Sequence, residues 1–198
     1  MSNVNYRRLS NLMLLANLIS TLFYSASYPY IYAELMKCVT QGYIGFEQIV
    51  SCVSTIIFGT LWNKYSSKLF SYYRQILLLE IIFDIILFVD VIIRNDLKFY
   101  FVLNVLIFAI ITRNLCCGNI KMRAKVNPTE ELRERYDNNA NSICSGATIL
   151  GTALALIFSF NLRTLFILAL IGNTIDNFFY LYIYNQIQKS ESENVKSL

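Results

Sequence analysis

The sequence predicts an all-α, polytopic membrane protein with six transmembrane helices. Three observations carry this reading. Of 198 residues, 56% are apolar and only 15% are charged; mean hydropathy is +0.46; and the apolar residues fall into six runs divided by short polar connections. A transmembrane helix needs roughly 20 predominantly apolar residues, so this length holds six spans and little else. With no His in the chain, mechanisms that use imidazole as base or zinc ligand are excluded. Five Cys, mostly in or beside apolar runs, imply no disulfide framework. No metal and no cofactor are expected.

The first span covers 9–33, bounded by Arg7 and Arg8 before it and Glu34 after it. Its basic start and the small triplet Ser25, Ala26, Ser27 also have the outline of a signal peptide with its cleavage site. Spans two, three and four cover 46–62, 75–93 and 99–117, and spans five and six cover 140–160 and 165–184. Together they form one transmembrane domain, 1–187, followed by a polar tail, 188–198, that is expected to be disordered. The longest connection is 118–139. In it, Asn127, Pro128, Thr129 and Glu130 read as a helix start, with Asn127 as N-cap, Pro128 first in the helix and Glu130 reaching back to the cap. Glu131 and Arg135 follow one turn apart. The connection reads either as a solvated helical collar or as a docking surface for a cytoplasmic partner.

Charge placement sets the orientation. With the N-terminus inside, the inner segments hold Arg7, Arg8, Lys64, Lys68, Arg74, Lys121, Arg123, Lys125, Arg133, Arg135, Lys189 and Lys196, twelve in all. The outer segments hold only Lys37, Arg94, Lys98 and Arg163. Both termini are therefore expected in the cytoplasm of a multi-pass protein of the cell membrane. The net charge of +4 is accounted for by topology, and no nucleic-acid partner is implied.

Span three carries Glu80, Asp84 and Asp90 in an otherwise apolar run. Its fifteen apolar residues supply roughly −5 to −9 kcal/mol of insertion free energy. Each central acid costs about 2.5 to 3.5 kcal/mol on the same scale, so the helix alone is marginal. Glu80 and Asp84 share a face one turn apart and are expected to point into the bundle. Asp84 lies mid-span, with Glu80 about 6 Å nearer the cytoplasm, and Arg113 on span four lies about 7.5 Å from that helix's middle on the same side. Glu80 and Arg113 thus meet at one level, with Asp176 on span six a second partner for Arg113. The four groups read either as a buried ion pair that sets helix register or as a proton-coupling or substrate site.

Polar stripes run along other spans: Asn17, Thr21, Tyr24 and Tyr28 before Pro29, where a break could free a carbonyl; Gln48, Ser51, Thr55 and Gly59; and Asn173, Asp176, Asn177, Tyr180 and Tyr184. They face other helices or a polar cavity. Span five, with Gly146, Ala147, Thr148, Gly151, Thr152 and Ala155, reads as a packing helix. Cys116 and Cys117 read as small fillers at a helix end.

After span two the chain reads Gly59, Thr60, Leu61, Trp62, Asn63, Lys64, Tyr65, Ser66, Ser67, Lys68. This resembles the loop signature of the major facilitator superfamily, with Gly59, Leu61, Lys64 and Lys68 matching and Asn63 standing where the family has Asp. Arg113 followed by Gly118, and Pro128 to Arg133 followed by Gly146 and Gly151, resemble later motifs of that family. The resemblance implies half of a major facilitator fold, built of two three-helix inverted repeats, which needs a homodimer or a partner membrane subunit to enclose a cavity. In that family spans three and six lie outside the cavity, so the acids here are expected at a dimer seam.

The expected function is binding or movement of a small solute by secondary, proton-coupled transport. Asn17, Thr21, Tyr28, Ser51, Thr55 and Arg113 are the expected substrate-binding residues, with Glu80 or Asp84 as proton carrier. Two other readings stand beside it. One is a substrate-binding membrane subunit of a multi-component importer, such as an energy-coupling-factor protein. The other is a non-transporting accessory or immunity protein derived from a transporter half. An enzyme is not expected, since nucleophile-elbow, Walker and phosphotransferase patterns are absent from the sequence.

Overall fold

Backbone N–H and C=O groups in hydrocarbon have no water to bond, so an apolar run satisfies them within a helix. The computed structural model describes residues 5–38, 41–93, 103, 105, 107–158 and 161–196, and its regular elements are helical. They are α1 (Tyr6–Cys38), α2 (Gln41–Ser71), α3 (Tyr73–Ile93), a π-helical turn (Phe108–Thr112) leading into α4 (Arg113–Val126), α5 (Glu130–Phe158) and α6 (Leu162–Lys196). Among the described residues there is no strand. Three stretches are long and apolar enough to cross a membrane: Tyr6–Ile31 in α1, Glu130–Ile157 in α5 and Arg163–Glu193 in α6. Residues 99–102, 104 and 106 of the expected fourth span, 99–117, lie outside the described residues.

The helices overrun the apolar runs that announce them. α1 passes through Pro29 unbroken, although the missing N–H leaves one carbonyl a turn earlier without its helical donor. α2 extends to Ser71 across the signature segment expected as a loop; its backbone leaves helical values only at Tyr65 (φ −125°, ψ 27°). The tail expected to be disordered is helical as far as Lys196.

The connection 118–139 is mostly helix, interrupted only at Asn127, Pro128 and Thr129. Here the expected cap is corrected. Asn127 ends α4, its N–H bonding Arg123 O at 2.9 Å with φ −118° and ψ 80°. Pro128 disfavours helical backbone in the residue before it, so Asn127 cannot open the next helix. Thr129 does so: its Oγ1 accepts from Leu132 N at 3.3 Å, and Glu130 and Glu131 complement the helix dipole.

α1 packs between α5 and α6; α6 packs also on α3; α4 packs on α2 and touches α1 and α3. These neighbours are preserved when α1, α2 and α3 are exchanged for α4, α5 and α6. Small residues allow the close approaches. A Cβ on Gly151 would stand 2.5 Å from Leu22 O and 3.1 Å from Ala26 N, and one on Gly172 would stand 2.5 Å from Phe23 Cβ. Met13, Ala16, Leu77, Leu87, Met122, Phe166 and Ile183 form the interior. Outward faces carry Ile49, Ile56, Ile82, Ile149, Leu156 and Ile157, all exposed.

At one end of the bundle, Phe70, Tyr73 and Tyr184 pack with ring centroids 5.3 to 5.6 Å apart. Tyr73 Oη donates to Asn119 Oδ1, Ser10 Oγ to Asn127 Oδ1 at 3.1 Å, and Lys125 pairs with Glu191. This polar collar ties the start of α1 and α3 to the end of α4 and α6.

Candidate functional site: a carboxylate seam and a polar cleft

The α3–α6 contact carries the acids. Glu80, Asp84 and Asp90 are buried, with exposures of 2%, 4% and 6%. Asn173 Nδ2 donates to Asp84 Oδ1 at 3.0 Å and Oδ2 at 2.8 Å, and Thr174 Oγ1 to Asp84 Oδ2 at 3.4 Å. Thr112 Oγ1, at the end of the π-turn, donates to Glu80 Oε1 at 2.8 Å. Glu80 Oε2, both Asp90 carboxylate oxygens and Asp176 Oδ1 have no hydrogen-bond donor among the described residues. Beside Asp84 a cleft of about 200 Å³ opens, walled by Ile85, Phe88, Leu170, Ile171, Ile175 and Phe178. The carboxylates expected at a dimer seam thus lie within one chain, between its third and sixth helices.

A second, more polar cleft of about 390 Å³ lies where α1, α4, α5 and α6 converge. Asn17 Nδ2 donates to Tyr136 Oη at 2.9 Å, and Tyr180 Oη donates to Asn17 Oδ1 at 3.4 Å. Arg123 Nη1 pairs with Asp137 Oδ1 at 2.8 Å. Asn119 and Asn141 complete the polar wall, while Met13, Ile120 and Ala140 line the rest.

The six expected substrate residues fall into two groups. Asn17, Thr21 and Tyr28 belong to α1: Thr21 Oγ1 donates to Cys144 Sγ at 3.4 Å, and Tyr28 stacks on Tyr24 at 4.6 Å between ring centroids. Ser51, Thr55 and Arg113 belong to the α2–α4 side, where Arg113 Nη2 donates to Ser51 Oγ at 2.7 Å and Thr55 Oγ1 bonds its own helix at Ser51 O. Of the six, Asn17 lines the polar cleft.

The signature segment is mainly surface. Leu61, Asn63, Lys64 and Lys68 are exposed, Lys64 Nζ lies 5.3 Å from the Tyr65 ring centroid, and a Cβ on Gly59 would meet nothing within 4 Å. The anchor there is Trp62, buried, with Nε1 donating to Asn114 Oδ1 at 2.6 Å. Trp62, Asn114, Asn119, Arg123, Tyr136 and Asp137 were not singled out by motif or by mid-span charge. For Asn119, Arg123, Tyr136 and Asp137 the sequence signal is polarity recurring at helical spacing across what hydropathy marks as a connection; Trp62 and Asn114 lie in the expected second and fourth spans.

By fold and site the chain is helical, with three helices of membrane-spanning length and apolarity and a buried carboxylate seam. Comparison with family models, with curated proteins and with solved structures found no match to the chain.

Proposed function

We propose that this chain is a six-span cell-membrane protein of the secondary-transporter type, resembling half of a major facilitator protein and acting as a dimer with both termini cytoplasmic. The observation that carries the proposal is the seam of Glu80, Asp84 and Asp176. Acids at such depth are costly to insert, and neutral Asn and Thr side chains would have served helix packing at less cost. Carboxyls that hold a proton when enclosed and release it when hydrated are the chemistry of a proton coupler. Three further features support the reading: the exchangeable neighbours of the two three-helix sets, the close α1–α5 approach at Gly151, and the basic bias of the inner segments. In this reading the two sets rock against one another.

The test is reconstitution into vesicles with a pH-sensitive dye inside. Addition of individual amino acids, sugars or organic acids outside should acidify the lumen for at least one solute class. Glu80→Gln and Asp84→Asn should abolish that acidification. If a folded, reconstituted dimer gives no solute-dependent proton movement with any class, or if both variants behave as wild type, the proton role fails.

A further inference from the structure

We infer that the cleft between α1, α4, α5 and α6 is a binding site for a small zwitterion of the amino-acid type. The inference rests on the transport reading above and names the substrate class for it.

The cleft presents one cation and one anion side by side, Arg123 and Asp137 at 2.8 Å. Their side chains keep 36% and 41% exposure, so the pair is open to exchange with a ligand. A lone anion would satisfy Arg123 and face Asp137; a lone cation would do the reverse. A zwitterion replaces one ion pair with two, its carboxylate on the guanidinium, whose fork suits that group, and its ammonium on Asp137. Net charge in the cleft stays at zero throughout.

The remaining wall matches the same ligand. Asn119 takes the Tyr73 hydroxyl on Oδ1, so what it has left to offer a second carboxylate oxygen is its amide N–H donors. Asn141 is exposed at the rim. Asn17 is held at both ends by Tyr136 and Tyr180, so it braces the wall rather than reaching for ligand. A sugar is disfavoured by the same geometry: Tyr136 and Tyr180 are each only 4% exposed, leaving no open ring face for a pyranose to stack on. The volume of about 390 Å³ admits a small amino acid with a few waters.

Calorimetric titration of the full chain in detergent tests this, with L-alanine, L-glutamine and glycine betaine as zwitterions and with glucose, lactate and methylammonium as neutral, anionic and cationic probes. At least one zwitterion should bind, and each of the other three should bind at least tenfold more weakly. Arg123→Gln and Asp137→Asn should each weaken zwitterion binding tenfold or more, while circular dichroism and gel filtration report the wild-type fold and size. Binding of glucose as tight as that of the best zwitterion, no binding of any zwitterion, or wild-type affinity in both variants would overturn the site. Because no proton gradient exists in detergent, failure of coupled transport in vesicles leaves this outcome unaffected, and the two proposals fail separately.

Discussion

Asn173 on α6 donates through a single amide nitrogen to both carboxylate oxygens of Asp84 on α3, at 3.0 and 2.8 Å. This fork, with the longer bonds from Thr174 to Asp84 and from Asn173 to Glu80, closes the seam between the two helices and sets their register. Replacing Asn173 with Ala leaves a buried acid with one weaker donor, Thr174 at 3.4 Å. The expected loss is about 1–3 kcal/mol, read as a lower thermal midpoint in detergent. The double variant Asn173→Ala/Asp84→Ala should recover part of it, because no orphaned acid remains. An unchanged midpoint for Asn173→Ala would remove the fork from the account of stability.

Two glycines of α5 should respond in opposite ways. Gly151→Ala drives a methyl against the α1 backbone at Leu22 O, and overpacking of this kind costs about 1–3 kcal/mol. Gly146→Ala meets nothing within 4 Å, so it should be neutral or raise the midpoint slightly through helix propensity. Equal effects of the two changes would mean that the α1–α5 approach is looser than described.

Trp62 and Asn114 should be coupled. Trp62→Phe keeps a ring and loses the Nε1 donor to Asn114, a change worth about 1 kcal/mol. In a double-mutant cycle with Asn114→Ala, the combined loss should fall short of the sum by about 0.5 kcal/mol or more. Strict additivity would show that the bond contributes nothing.

Arg123 and Asp137 should matter little for folding. Both are more than a third exposed, and exposed ion pairs contribute about 0–1 kcal/mol. Asp137→Asn should therefore shift the thermal midpoint only slightly, and less in high salt, while its binding defect is large. A large fall in midpoint with unaltered binding would make the pair structural.

Orientation is testable with single cysteines in a background where native Cys are replaced by Ser. An impermeant maleimide applied to intact cells should label Asn161→Cys, and should label Ser192→Cys only after the membrane is opened. The reverse pattern would invert the topology.

The helices themselves were legible because apolar runs are long and few; their ends were not. Hydropathy falls off at Asn63 and again at Gln188, but intrahelical hydrogen bonds do not depend on side-chain polarity, so α2 and α6 continue. Within the site, spacing placed Glu80 and Asp84 on one inward face, and depth placed Arg113 level with Glu80. The hydroxyl that bonds Glu80 belongs to Thr112, the residue just before it. A uniform rise and rotation per residue ignores the π-turn Phe108–Thr112, whose wider winding changes which side chains share a face. The polar cleft was hidden for another reason. Asn119, Arg123, Tyr136 and Asp137 sit in the stretch that charge placement marks as a connection, and only its folding into α4 and α5 brings Arg123 and Asp137 together beside Asn17 and Tyr180 of the expected spans.

Asn17 meets Tyr136 and Tyr180, partners 119 and 163 positions later in the chain. At synthesis rates of about 5–20 residues per second, the first of these partners follows Asn17 from the ribosome by roughly 6–24 s. During that interval Asn17, Thr21 and Ser25 await the α5 and α6 groups that they bond in the finished fold. α1 therefore gains these contacts only after α5 and α6 have been made, and if the chain inserts as proposed its polar stripe waits in that interval against lipid or an assembly factor.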